Sequence, residues 1–331
     1  MKRLFSRRST QDTSISFSFF INPDFGLNTC IIYLLLLILI LSPVSMNASP
    51  LSDAVRDGQY ELVKSLIAQG TPVDQVENIR TPTALISVIM KNDSNIAEYL
   101  ILHGADVNAV HPGTQCSALQ LAAGSPNNKS SLNIAKLLVE KGANINLNGN
   151  YCGPPIMEAS MAGHLDIVQF LHQKNADINL QKDTSYALYE SIINGHEDIA
   201  QWLLENGANP NLVTIDGSTA ILIIAQYMPE LFSVALRYNG QLSLDKQNRG
   251  ALGYAISGDN PQLIKLLLNS KPPQEEIDEA LRTATTLQKD DLIEALISKG
   301  ANPDARDRWG ESANSIMEAL QKNTSNKNGD N

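Results

Sequence analysis

The sequence predicts an all-α solenoid, with about eight stacked helix-turn-helix units and a closing C-terminal helix behind an N-terminal apolar segment. Three observations lead there. A five-residue string beginning Gly-Ala or Asn-Ala recurs through the chain: Gly104-Ala105-Asp106-Val107-Asn108, Gly142-Ala143-Asn144-Ile145-Asn146, Asn175-Ala176-Asp177-Ile178-Asn179, Gly207-Ala208-Asn209-Pro210-Asn211 and Gly300-Ala301-Asn302-Pro303-Asp304. With weaker copies starting at Gly70 and Gly240, the steps from Gly70 to Gly240 are 34, 38, 33, 32 and 33 residues, a period that marks a stack of supersecondary units. Ahead of each string, apolar residues fall at i, i+3 and i+4, the stripe of an amphipathic helix.

The chain has 331 residues, of which 43% are hydrophobic, 5% aromatic and 18% charged, with a net charge of −10. This is globular composition rather than disordered or fibrous. The acidic balance argues against nucleic acid as the main partner, because phosphate binding needs a clustered excess of Lys and Arg. Three cysteines are too few for a small disulfide scaffold.

Residues 1–48 differ from the rest. Lys2, Arg3, Arg7 and Arg8 make a basic start, residues 30–41 are an unbroken apolar run, and Ser42-Pro43 ends it ahead of Ser45 and Ala48. Basic, apolar, then small is the order of a secretory signal. An uncleaved anchor is the competing reading, since residues 27–44 are about long enough to enter a bilayer; the basic flank would then keep the N-terminus cytoplasmic. Either way the repeats are expected to be exported, in the periplasm or on the outer side of the membrane of a bacterium, with membrane contact only through this segment.

The helices follow in pairs. Ile96-Ala97-Glu98-Tyr99-Leu100-Ile101, Ile134-Ala135-Lys136-Leu137-Leu138, Asp166-Ile167-Val168-Gln169-Phe170-Leu171, Asp198-Ile199-Ala200-Gln201-Trp202-Leu203-Leu204 and Leu263-Ile264-Lys265-Leu266-Leu267-Leu268 are second helices. Each is followed by a residue that suits a helix C-terminus. A shorter first helix of small residues precedes several of them, as in Ser117-Ala118-Leu119-Gln120-Leu121-Ala122-Ala123. No such pair buries its apolar face alone, so neighbours must stack. The third unit carries about four extra residues around 125–129, and Lys271-Pro272-Pro273 replaces the usual string between the seventh and eighth units. A closing helix is expected over 311–320. Residues 323–331 contain no apolar side chain and are expected to form an unstructured tail.

The unit resembles the ankyrin repeat. Gly163-His164-Leu165-Asp166-Ile167-Val168 and Gly195-His196-Glu197-Asp198-Ile199-Ala200 stand where that family carries its Gly-His segment. Thr83-Ala84-Leu85-Ile86, Pro154-Pro155-Ile156-Met157 and Thr219-Ala220-Ile221-Leu222 keep the polarity of its Thr-Pro-Leu-His segment without the His. The resemblance spans residues 51–322 and implies a non-catalytic module that binds a protein through the concave face of loop tips and first helices. Mapped onto this chain, that face includes Met90, Lys91, His111, Tyr151, Met161, Ile193, Asn194, Tyr227, Arg249 and Trp309. The alternatives are a secreted effector or inhibitor of a foreign protein, and an enzyme or small-ligand carrier.

Chemistry-bearing motifs are sparse. His196-Glu197 lacks the second His of a zinc-protease string, and there is neither a Gly-rich phosphate loop nor a Cys-x-x-Cys. His164 and His196 hold equivalent repeat positions, where each imidazole is expected to hydrogen-bond within the loop of its own repeat. No catalytic residue, metal site or cofactor is assigned, and the protein is expected to be monomeric. Cys116 and Cys152 lie just ahead of the first helices of units three and four. Neighbouring helices stand roughly 8–10 Å apart, whereas a disulfide needs Cα atoms within about 7 Å. The pair is bridged if the two loops lean together; otherwise they are two buried thiols.

Overall fold

The computed structural model describes residues 50–76, 80–126, 128–214, 217–247 and 249–328. The N-terminal segment, where a signal or anchor is expected, lies outside them. Among the described residues no helix is long and apolar enough to cross a membrane. Eight helix pairs follow one another: α1 (Pro50–Arg56) with α2 (Tyr60–Ala68), α3 (Ala84–Met90) with α4 (Ser94–Leu102), α5 (Ala118–Ala123) with α6 (Asn128–Glu140), and α7 (Pro155–Ala162) with α8 (Leu165–Gln173). Then come α9 (Ala187–Ile193) with α10 (Glu197–Glu205), α11 (Ala220–Tyr227) with α12 (Phe232–Arg237), α13 (Ala251–Ser257) with α14 (Pro261–Asn269), and α15 (Gln274–Thr286) with α16 (Asp290–Ser298). Helix α17 (Ala313–Asn328) closes the stack. First helices pack on first helices and second on second, giving two layers. The repeat solenoid read from the sequence is the fold.

The local signals that start these helices are visible in the residues. Thr83 accepts a hydrogen bond from the Ile86 N–H at the head of α3, and Asp93 and Asn260 do the same for α4 and α14. Ser117 and Gln120 form a reciprocal capping box on α5, satisfying donors that a helix start leaves free. Most pairs turn through a residue of positive φ, such as Gly163 at 79° or Asn92 at 58°. Gly70, Gly104, Gly142, Gly207 and Gly300 hold φ of 89–95° where the second helices end, a conformation that costs glycine least. The buried apolar residues of every pair join one continuous cluster. The ends are thinner. Helices α8 and α10 bury four residues each, whereas α2 and α16 bury only Val63 and Leu296.

Two irregular places resolve simply. The extra residues of unit three lengthen α6 at its start, and the short Lys271-Pro272-Pro273 link is followed by an α15 of thirteen residues. Helix α17 runs on through residue 328, into the stretch expected to be an unstructured tail. A run of Asn, Lys and Ser has no core to bury, yet it can prolong a helix already nucleated by residues that do pack.

Candidate partner-binding surface

The recurring string explains how the loop side of the stack is built. In each copy the first Asp or Asn accepts from the backbone N–H two residues on, as Asp106 does from Asn108 and Asn209 does from Asn211. The last residue reaches the next repeat. Asn179 Oδ1 accepts from the Asn209 N–H at 2.8 Å while its Nδ2 donates to the Gly207 carbonyl at 3.2 Å. Asn108 makes the same pair of bonds to Asn144 and Gly142, and Asn211 makes them to Gln241 and Asn239. The ladder therefore spaces the loops at the repeat interval.

Between units seven and eight the string is missing, and α15 substitutes for it. Asp278 accepts from the Asn302 N–H at 2.7 Å, and Gln274 donates to the Gly300 carbonyl at 2.9 Å. The same helix inserts two carboxylates at the head of α13. Glu276 accepts from Leu252 N–H and Glu279 from Gly250 N–H. Burial pushes both carboxyls up to about 7, against the opposing pull of those hydrogen bonds.

Beyond each ladder step the chain makes a hairpin tip, and one polar side chain organises most of them. Asp245 Oδ1 accepts from Gln247 and Arg249 N–H groups, and Asp307 Oδ1 from those of Trp309 and Glu311. His111 has this same role. Its Nδ1 accepts from Gly113 and Thr114 N–H at 3.1 Å each, and the residue is only 3% exposed. That corrects its assignment as a contact residue: the ring is spent inside its own loop, and burial lowers its pKa.

The other predicted positions divide. Tyr151 is 56% exposed, Tyr227 57%, Trp309 60% and Ile193 36%. Met90 is half-buried against the core, and Met161 is half-buried with its carbonyl accepting from His196 Nε2. Lys91 is exposed, but its Nζ donates to the Arg56 carbonyl one unit back. Asn194 Nδ2 is engaged with the Glu190 carbonyl and carboxylate. Arg249 pairs with the buried Asp245 at 2.8 Å and lies over the Tyr254 ring. Arg249 and Trp309, far apart in sequence, line one surface cavity of about 260 Å³ together with Glu279, Arg282 and Leu287. The last three were missed because α15 lacks the Gly-His mark that registers α7 and α9.

His164 and His196 bond across repeats rather than within their own, which corrects the expectation made for them. His164 Nε2 meets the Ser125 carbonyl, and the His196 ring lies so close over Gly163 that a Cβ there would sit 2.6 Å from it. Cys116 and Cys152 form a disulfide, with Cα atoms 5.4 Å apart. Glu158 and Glu190 lie side by side on α7 and α9. Burial raises both, Glu158 to about 8, with its Gly153 N–H bond opposing and the Glu190 charge adding to the rise. Among the described residues no three His, Cys, Asp or Glu side chains are grouped to hold a metal ion.

The family model for ankyrin repeats in three copies matches residues 51–149, 148–214 and 188–275. The chain belongs to the ankyrin repeat family. Among curated proteins it is 25% identical over 265 residues to the ankyrin repeat and KH domain-containing protein mask-1 of Caenorhabditis elegans, covering 77% of this chain and 10% of that protein. It thus spans a tenth of that relative's length. It is 30% identical over 128 residues to cyclin-dependent kinase 4 inhibitor B of Rattus norvegicus, covering 38% of this chain and 93% of that one. The human ASB11 ankyrin repeat domain superposes with a TM-score of 0.55 at 26% identity, covering 68% of this chain and 99% of that domain. Ankyrin stacks of this kind are protein-interaction modules rather than enzymes.

Proposed function

We propose that this ankyrin stack recognises a protein partner through its first-helix and hairpin face, with Tyr151, Ile193, Tyr227 and Trp309 as the main contacts. The distribution of exposed aromatic rings carries this reading. Tyr151, Tyr227 and Trp309 all stand on hairpins or first-helix ends, whereas the second helices expose mainly the aliphatic Leu62, Leu102, Leu266 and Ile297. Their one exposed aromatic, Tyr60, rests edge-on against Tyr99. Aromatic side chains supply large contact area at small entropic cost, which is why interface centres favour them. The net charge of −10 suits a partner with basic or neutral contacts. The likeness to an inhibitor of cyclin-dependent kinase 4 supports a second reading, in which the bound protein is thereby inhibited.

The repeats act outside the cytoplasm as a monomer in this proposal, on the strength of the basic-apolar-small order of residues 1–48. Replacing Tyr151→Ala together with Tyr227→Ala should weaken partner binding by ten-fold or more, about 1.4 kcal/mol, with the thermal midpoint unchanged. Unchanged affinity would refute the assignment. Intact mass of the native protein tests export: a chain starting near Ser49, or a full-length chain in the membrane fraction, agrees with it, and a soluble full-length cytoplasmic protein does not.

A further inference from the structure

The hairpin tip of unit four shares the backbone closure of its neighbours but not their side-chain support. Seven residues after the αL position that ends each second helix stand His111, Lys182, Thr214 and Asp307. From there the backbone N–H crosses the tip in every case, to the carbonyls of Cys116, Ser185, Ser218 and Glu311. His111, Thr214 and Asp307 add a side-chain bond inside the tip. In unit four this place is Gly149, whose N–H crosses the tip to the Cys152 carbonyl in the same way but which has no side chain to add a bond. A Cβ there would lie 2.7 Å from the Gln115 carbonyl oxygen of the preceding loop, so the tip, besides its own backbone bond, is pressed onto unit three.

Two ties from unit three hold it there. The Cys116–Cys152 bond is one. Gln120 is the other, its Nε2 donating to the carbonyls of Leu147, Cys152 and Gly153 at 3.0, 3.3 and 2.7 Å. Tyr151, an exposed aromatic of the tip, is adjacent to Cys152. Gln120 can reach these three carbonyls together only while residues 147–153 curl around it.

We propose that the Cys116–Cys152 bond is an oxidation-dependent latch that shapes the Tyr151 hairpin, so that this part of the surface is presented only where thiols are oxidised. Closing the latch removes two protons and two electrons from the cysteine pair. A disulfide oxidant takes them by thiol–disulfide exchange and leaves as a dithiol. Reduced chain has a folded stack and a loose tip. That Tyr151 touches the partner rests on the function proposed above; the latch does not.

The test is amide hydrogen exchange on the full chain, comparing the wild type with Cys116→Ser/Cys152→Ser, and with wild type reduced by a phosphine. Exchange across residues 147–153 should rise about ten-fold or more, in both the variant and the reduced wild type, with α5 and α7 unaffected. Unchanged exchange in the tip would overturn the proposal, since Gln120 and the Gly149 N–H bond to Cys152 would then suffice. Equal acceleration through α5 and α7 would also overturn it, by making the bond a staple of the core. A loosened tip with partner affinity intact would leave the latch standing and remove Tyr151 from the contact surface.

Discussion

Asn179 shows what one residue does in a repeat architecture. Its carboxamide is both donor and acceptor, so it can hold the N–H and the carbonyl of the next loop at once. Asn179→Ala should lower stability by about 1 kcal/mol, read as a shift of the urea midpoint with unchanged slope. The buried glutamates make a second prediction. Glu158, Glu276 and Glu279 start from 4.5 in the unfolded chain and stand at about 8, 7 and 7 when folded. Between those values the folded chain holds more protons than the unfolded one, so stability is full below pH 4.5 and declines as pH rises through 7–8. Thermal midpoints at pH 5, 6.5 and 8.5 should fall in that order, and Glu158→Gln should flatten the decline. The strings themselves were plain in the sequence. The bonding of His111 was not, because a buried residue that organises a tip and an exposed one that contacts a partner occupy the same offset from the string.

At the scale of the element, α15 is the instructive case. It lengthens at its start, supplies Gln274 and Asp278 in place of a missing ladder step, and caps α13 with Glu276 and Glu279. Gly253 on α13 makes room for this, since a Cβ there would meet the Glu279 carboxylate at 2.4 Å. Helix propensity alone says that Gly253→Ala should stabilise by about 1 kcal/mol. Displacing a buried carboxylate from its N–H partner costs about 1–3 kcal/mol. The net expectation is a loss of about 1 kcal/mol in chemical denaturation, and a gain would show that Glu279 moves aside freely. The helix pairs were legible because their apolar stripes repeat. The α15 substitution was not, because Gln274 and Asp278 meet a partner more than twenty residues away with no motif to announce it.

For the whole molecule, the period of about 33 residues decided the architecture, since a solenoid is a sum of neighbouring contacts and needs little else. The surface was legible only in part: Tyr151, Tyr227 and Trp309 are displayed, while Met90 and Met161 are half-buried. Sequence offset marks which helix face a residue occupies but not how far its neighbour covers it. With a net charge of −10, partner affinity should fall between 50 and 500 mM salt, chiefly through slower association. Titrations across that range check it. The central claim, recognition by the first-helix and hairpin face, is tested most directly by site-specific photo-crosslinking. A photoreactive phenylalanine placed at Tyr151, Tyr227 or Trp309 should yield one defined adduct with a native protein, and the same group at Leu102 on the opposite layer should yield none. Adducts forming equally at Leu102, or only there, would contradict the account.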